Sequence, residues 1–167
     1  MKRFGLIGKK LGHSFSAKYF AEKFEREGLL ECDYSLYELS EIECVKEFML
    51  MPDLVGFNVT IPYKQQIIPC LDALDAQARE VGAVNCVKIE RDGRRVGYNT
   101  DVDGIRLSLD KLLGEEKVSA ALVLGTGGAS QAVQYVLRER GIDYKVVSRE
   151  KGKADLTYDD LTHEVMA

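Results

Sequence analysis

Residues 118–148 constrain the fold more than any other stretch of this sequence. They open with a largely apolar run, 118–124, of the kind that is buried on both faces of a parallel sheet. A glycine turn follows at once, Leu124-Gly125-Thr126-Gly127-Gly128-Ala129-Ser130. Next come a helical stretch over 130–140, Gly141, and a second strand over 144–148. Strand, turn, helix and strand within about 30 residues make one βαβ unit.

The position of the turn gives its glycines a chemical meaning that a lone glycine motif lacks. Gly125 permits a tight turn, and Gly127 lets the backbone come close to a pyrophosphate. The helix that follows offers unpaired N–H groups and the positive end of its dipole. Ser130 stands where the dinucleotide fingerprint has a third Gly or Ala, and it is small enough for close packing. The second strand runs into Ser148-Arg149-Glu150. An acidic residue about 20 positions beyond the first glycine takes the ribose 2′-hydroxyl of NAD. Here Arg149 comes first, and a guanidinium fork suits a 2′-phosphate, so NADP is expected over NAD. Glu150 leaves NAD open. The plainer reading of the same residues is a tight turn with a surface Arg–Glu pair.

The preceding residues alternate in the same way. A strand is expected over 4–8. A helix then starts at Ser14 or Ser16, carries Ala17, Phe20, Ala21 and Phe24 on one face, and stops at Gly28. Strand 32–39, helix 42–51 ending at Pro52, and strand 54–60 follow. Beyond Pro62 the pattern is helical over 64–81, interrupted near Pro69. Runs 84–90 and 95–99 flank Asp92-Gly93, a hairpin signal. Helix 101–113 ends at Gly114, with Ile105, Leu109 and Leu112 on its inner face. The chain is therefore α/β from end to end, with a seam near 100–116. The expected segments are a domain over 1–100, a linking helix and connection over 101–117, and a partial dinucleotide-binding domain over 118–167.

Composition narrows the function classes. The chain is 46% hydrophobic and 30% charged, as ordinary globular proteins are. Its net charge of −4 gives no basic footprint for nucleic acid. No apolar run approaches the roughly 20 residues of a membrane span, and the apolar stretch after Lys2-Arg3 is too short for a signal peptide. Cys32, Cys44, Cys70 and Cys86 show no CxxC spacing, so buried, reduced thiols in a cytoplasmic protein are expected. No metal site is expected, because His163 is the only potential imidazole partner of His13.

Four more motifs stand in the first 104 residues. They are Gly12-His13-Ser14-Phe15-Ser16, Asn58-Val59-Thr60-Ile61-Pro62-Tyr63-Lys64, Gly82-Ala83-Val84-Asn85 and Gly97-Tyr98-Asn99-Thr100-Asp101-Val102-Asp103-Gly104. With Gly125-Thr126-Gly127-Gly128-Ala129 they resemble, in order and spacing, the shikimate dehydrogenase family. The resemblance covers essentially the whole chain. It implies an N-terminal α/β substrate-binding domain followed by the beginning of a Rossmann-like NADP-binding domain. It also implies an oxidoreductase of the shikimate pathway, in aromatic amino-acid biosynthesis, that reduces 3-dehydroshikimate to shikimate with NADPH. Carried over by position, Ser14 and Ser16 look like the hydroxyls that hold the substrate carboxylate. Thr60, Asn85 and Asp101 look like partners of the ring hydroxyls, and Lys64 and Asp101 like the catalytic pair. Gly125, Gly127, Gly128 and Ala129 look like the pyrophosphate turn, and Arg149 like the 2′-phosphate ligand.

The chemistry of these side chains agrees. A small polyhydroxylated acid needs donors for its carboxylate and mixed donors and acceptors for vicinal hydroxyls. Ketone reduction needs a hydride, which a nicotinamide brings, and a proton. A Lys64 ammonium can polarise the oxygen or donate that proton, and a nearby Asp101 would tune it. Each residue also has a plainer use. Ser14 or Ser16 caps a helix; Thr100 or Asp101 does the same, with the dipole favouring Asp101; an isolated Lys64 is most often solvated. Asn85 within an apolar strand needs buried partners. Tyr63 and Tyr98 read as packing residues.

The sequence departs from the family at its end. About 50 residues follow the seam, whereas domains run to about 100–150. The family's later Asn-Thr-Thr-Pro-like loop by the nicotinamide, and its closing helix with a substrate-binding glutamine, are not there. The tail 155–161 reads as a loop entering one more helix. The expectation is a chain truncated at its C-terminus, with marginal last residues or a second copy, as a homodimer, to cover them. Two alternatives follow: a non-catalytic shikimate-binding fragment, and a quinate/shikimate dehydrogenase that prefers NAD. A folate- or amino-acid-type dehydrogenase fits the turn but not the Ser-Phe-Ser and Asn-Thr-Asp motifs.

Overall fold

The computed structural model describes residues 1–162 and Val165. His163, Glu164, Met166 and Ala167 lie outside the described residues. The chain divides into two compact units, Met1–Asn99 and Thr100–Ala167.

The first unit is built on a six-stranded sheet in the order β2-β1-β3-β5-β6-β4. Its strands are β1 (Lys2–Gly8), β2 (Cys32–Glu38), β3 (Leu54–Val59), β4 (Ala73–Leu74), β5 (Cys86–Ile89) and β6 (Arg95–Tyr98). β1 runs parallel to both β2 and β3, while β5 is antiparallel to β3 and to β6. Successive side chains point to opposite faces, so Leu6 and Ile7 fall into different cores. Ile7 joins Val45, Phe48, Phe57, Val59, Tyr63, Ile67 and Val84 on one face. The short helices α2 (Val45–Phe48), α3 (Tyr63–Gln66) and α4 (Ala76–Val81) contribute to that layer. Leu6 joins Leu11 and Tyr34 on the other, packed by Phe20 and Phe24 of α1 (Ser16–Arg26).

Three details differ from expectation. The region 64–81 is not one interrupted helix: Ala73–Leu74 pair in parallel with Val96–Gly97 as a two-residue edge strand. Gly97 lets Leu71, Leu74 and Val84 close over it, since a Cβ there would stand 2.7–2.9 Å from all three side chains. Asn85 precedes β5 instead of lying within it. The four cysteines are free, but partly exposed rather than buried.

The second unit carries α5 (Asp101–Leu113), β7 (Ala120–Leu124), α6 (Gly128–Glu139), β8 (Asp143–Ser148) and β9 (Leu156–Thr157). The sheet β7-β8-β9 is parallel. The tail adds a short strand and a 3-10 turn at Tyr158–Asp160, and the helix expected after 161 falls largely outside the described residues. The Asp155 carboxylate accepts the Val146 N–H at 2.7 Å, which occupies the β8 edge where β9 does not reach. α5 packs on α6: Arg106 bonds Glu139 at 2.9 Å, and Arg140 pairs with Asp110. Leu109 lies in the cluster of Val123, Leu137 and Ile142. Leu112, expected on the inner face, is exposed at 77%. Among the described residues no helix is long and apolar enough to cross a membrane, and no cluster of His, Cys, Asp or Glu could hold a metal ion.

Candidate functional site

Most candidate residues of the first unit meet at one edge of its sheet. β1 and β3 are parallel neighbours, so the segments leaving them start side by side, where clefts of α/β sheets form. Backbone bonds tie the two exits together: Thr60 N–H donates to Ile7 O at 2.9 Å, and Lys9 N–H to Ile61 O at 3.3 Å. Gly8 is required there, since a Cβ would stand 2.7 Å from both Thr60 Cγ2 and Leu11 Cδ2. Lys64 lies in the single turn of α3, just beyond a cis Ile61–Pro62 bond. β5 runs antiparallel to β3, so its lead-in arrives at the same edge. Val59 N–H donates to Asn85 O at 2.9 Å, and Val84 N–H to Lys64 O at 2.7 Å. Thr60, Lys64 and Asn85 are thus brought together by main-chain bonds.

Ser14 comes from the β1–α1 loop, which Glu38 holds by accepting the Leu11 N–H at 2.6 Å, and Ser16 opens α1. Ser14 N–H then donates to Leu11 O at 2.8 Å. Neither serine occupies the N-cap. That position is Phe15, which has no acceptor in its side chain, and Ser14 Oγ instead accepts the Ser16 N–H at 3.2 Å.

A polar chain that starts from a tyrosine outside every motif lies beside Ser16. Tyr34 is buried, with its ring stacked on Phe20 at 4.3 Å and 14°. Its hydroxyl donates to Asn58 Oδ1 at 2.8 Å, and Asn58 Nδ2 donates to Asn85 O at 3.3 Å. Burial pushes the Tyr34 phenol up to about 12; the Ser16 side chain counters this, and charge at Cys86 adds to it. The Cys86 thiol is itself pushed up by burial. Tyr34, Asn58 and Cys86 line a cavity of about 480 Å³ with Phe4, Phe20 and Tyr98. A polar Asn58 within the apolar run 54–60 was the sequence signal for this chain. Tyr63 is a packing residue, buried and donating to Leu39 O at 2.6 Å. Asn99, also unassigned, is buried and donates to Ala83 O at 2.8 Å.

In the second unit Asp101 is the first residue of α5, and no side-chain bond caps that helix at Thr100. Gly125 has φ +119°, a conformation that suits only glycine. Its N–H donates to Val147 O at 2.8 Å. Gly127 is the N-cap of α6, with no side-chain cap bond, and Gly128 and Ala129 open the helix. A Cβ at Gly125 or Gly127 would meet nothing within 4 Å, so the space before the turn is open. Ser130 is buried and accepts from Gln134 at 3.0 Å. A polar cavity of about 560 Å³ opens beside Thr126, Gln131, Gln134 and Lys153. Arg149 is exposed just beyond β8. Glu150 pairs with Lys153 at 2.7 Å, which holds its carboxyl below the usual range. Uncapped first-turn N–H groups, open space and an exposed guanidinium fit a phosphorylated dinucleotide.

The shikimate dehydrogenase substrate binding domain family matches residues 6–87. A shikimate dehydrogenase (NADP(+)) of Aquifex aeolicus is 42% identical over 153 residues, which is 90% of this chain and 56% of that protein. The chain belongs to the shikimate dehydrogenase family. The solved shikimate dehydrogenase 1 of Peptoclostridium difficile superposes with a TM-score of 0.86 at 36% identity, over 98% of this chain and 63% of that one. The shikimate dehydrogenase of Thermus thermophilus, solved in complex with shikimate, gives a TM-score of 0.78 at 35% identity, over 92% and 59%. The chain thus spans just over half the length of the family members it matches.

Proposed function

We propose that this chain carries the substrate-binding part and the first part of the nucleotide-binding domain of an NADP-dependent shikimate dehydrogenase, reducing 3-dehydroshikimate to shikimate in aromatic amino-acid biosynthesis. The observation that carries the reading is the meeting of Thr60, Lys64 and Asn85 at one sheet edge, in a chain 42% identical to an NADP(+) enzyme of that name. A relative solved with shikimate supports the substrate. In this reading Ser14 and Ser16 hold the carboxylate, Thr60, Asn85 and Asp101 bond the ring hydroxyls, and Lys64 and Asp101 are the catalytic pair. Lys64 donates the proton to the carbonyl oxygen. Gly125, Gly127, Gly128 and Ala129 hold the pyrophosphate, and Arg149 the 2′-phosphate. The bound nicotinamide supplies the hydride. The Glu150–Lys153 pair supports NADP over NAD, because it gives Glu150 a cation partner of its own.

The four free cysteines support a reducing, cytoplasmic compartment. Exposed Leu107, Leu112 and Leu124 support a homodimer that covers part of the second unit, which sedimentation would detect.

The test is the rate of shikimate oxidation by the 167-residue chain with NADP and NAD in parallel, and with Lys64→Ala as control. Turnover with NADP that collapses in the variant is expected. Equal rates with NAD would overturn the cofactor assignment. No turnover beside saturable shikimate binding would favour the binding-fragment reading.

A further inference from the structure

Tyr34 lies on β2, away from every motif, yet it touches the segments that carry three candidate substrate residues. Its hydroxyl donates to Asn58 Oδ1 at 2.8 Å, and the Asn58 amide in turn bonds the Asn85 carbonyl at 3.3 Å. Its ring stacks on Phe20 of α1, the helix that begins at Ser16. We propose that Tyr34 is a positioning residue for the substrate site, locking the Asn58 amide against the Asn85 backbone and holding the start of α1 to the sheet. This rests on the substrate reading above.

The direction of each bond follows from what the groups can do. The Asn85 carbonyl only accepts, so the Asn58 nitrogen must face it. The Asn58 oxygen then faces Tyr34, whose hydroxyl must donate. With both ends of the amide fixed, the second Asn58 N–H has a single direction, and it is offered to a ring hydroxyl of the acid. The raised phenol pKa fits this arrangement, since a neutral hydroxyl keeps the proton that the Asn58 oxygen needs. Phenylalanine at 34 would keep the stack on Phe20 but leave the Asn58 oxygen without its donor, and the amide would be free to turn.

The test is calorimetric titration of two acids into the parent chain and Tyr34→Phe, with thermal unfolding alongside. The acids are shikimate and cyclohex-1-ene-1-carboxylate, which has the same carboxylate and no ring hydroxyls. The variant is expected to bind shikimate about tenfold more weakly, the worth of one well-placed hydrogen bond, with the hydroxyl-free acid unchanged and the unfolding midpoint close to the parent's. Equal weakening of both acids would assign Tyr34 a purely structural role, and unchanged shikimate binding would remove the proposal. A parent chain that binds no shikimate would overturn the substrate reading itself.

Discussion

The main-chain N–H of Val84 donates to the carbonyl of Lys64 at 2.7 Å. A catalytic candidate that looks like a solvated surface lysine in sequence is therefore pinned, through its backbone, to the segment that delivers Asn85. The side chain is not needed for that bond.

Lys64→Ala should consequently leave the fold intact. Its thermal midpoint should stay near the parent's, while any NADP-dependent turnover falls by about a hundredfold or more, the usual scale for loss of a general acid. Melting curves and initial rates on the same preparation check both halves.

Arg149→Ala should change cofactor choice and little else. Loss of the guanidinium should weaken NADP binding about tenfold or more, as expected for a charge-assisted phosphate contact. NAD binding should hold. Titrations with 2′,5′-ADP and 5′-AMP measure this ratio directly.

Gly8→Ala should damage the edge between β1 and β3. The new methyl would press on Thr60 Cγ2 and Leu11 Cδ2, both 2.7 Å from the Cβ position. Overpacking of this kind costs about 1–3 kcal/mol, so denaturant midpoints should fall and shikimate binding should weaken with the displaced Thr60.

Tyr34 should make the fold sensitive to strong base. Its phenol is raised from 10.0 to about 12 in the folded chain. An unfolded chain releases the proton first, so the stability from a neutral Tyr34 is complete below pH 10 and is lost as pH rises toward 12. Tyr63 and Cys86 are raised too. Tyr34→Phe should therefore show a shallower decline of the unfolding midpoint over this range, not a flat one.

Much of the architecture was legible because it is written in short-range pattern. The run 118–124, the glycine turn and the helical period after it predict β7, α6 and β8 with small shifts at the ends. Asp92-Gly93 predicts the hairpin in the same local way. What could not be read depends on distant partners. Ala73–Leu74 form a strand only because β6 offers an edge, and Leu156–Thr157 only because β8 does. Leu112 fits a helical stripe but finds no partner surface. The candidate residues stood out by motif, while their supports did not: Glu38 reaches Leu11 across 27 positions, and Tyr34 reaches Asn58 across 24. A tyrosine alternating in a strand carries no sign of such a bond.

The central claim is that the edge formed by Thr60, Lys64 and Asn85 recognises shikimate. The most direct measurement is a calorimetric titration of shikimate into the chain, with Thr60→Val and Asn85→Ala in parallel. One saturable site in the parent, weakened about tenfold in each variant, is the predicted result. A parent that shows no saturation, or variants that bind as the parent does, would contradict it.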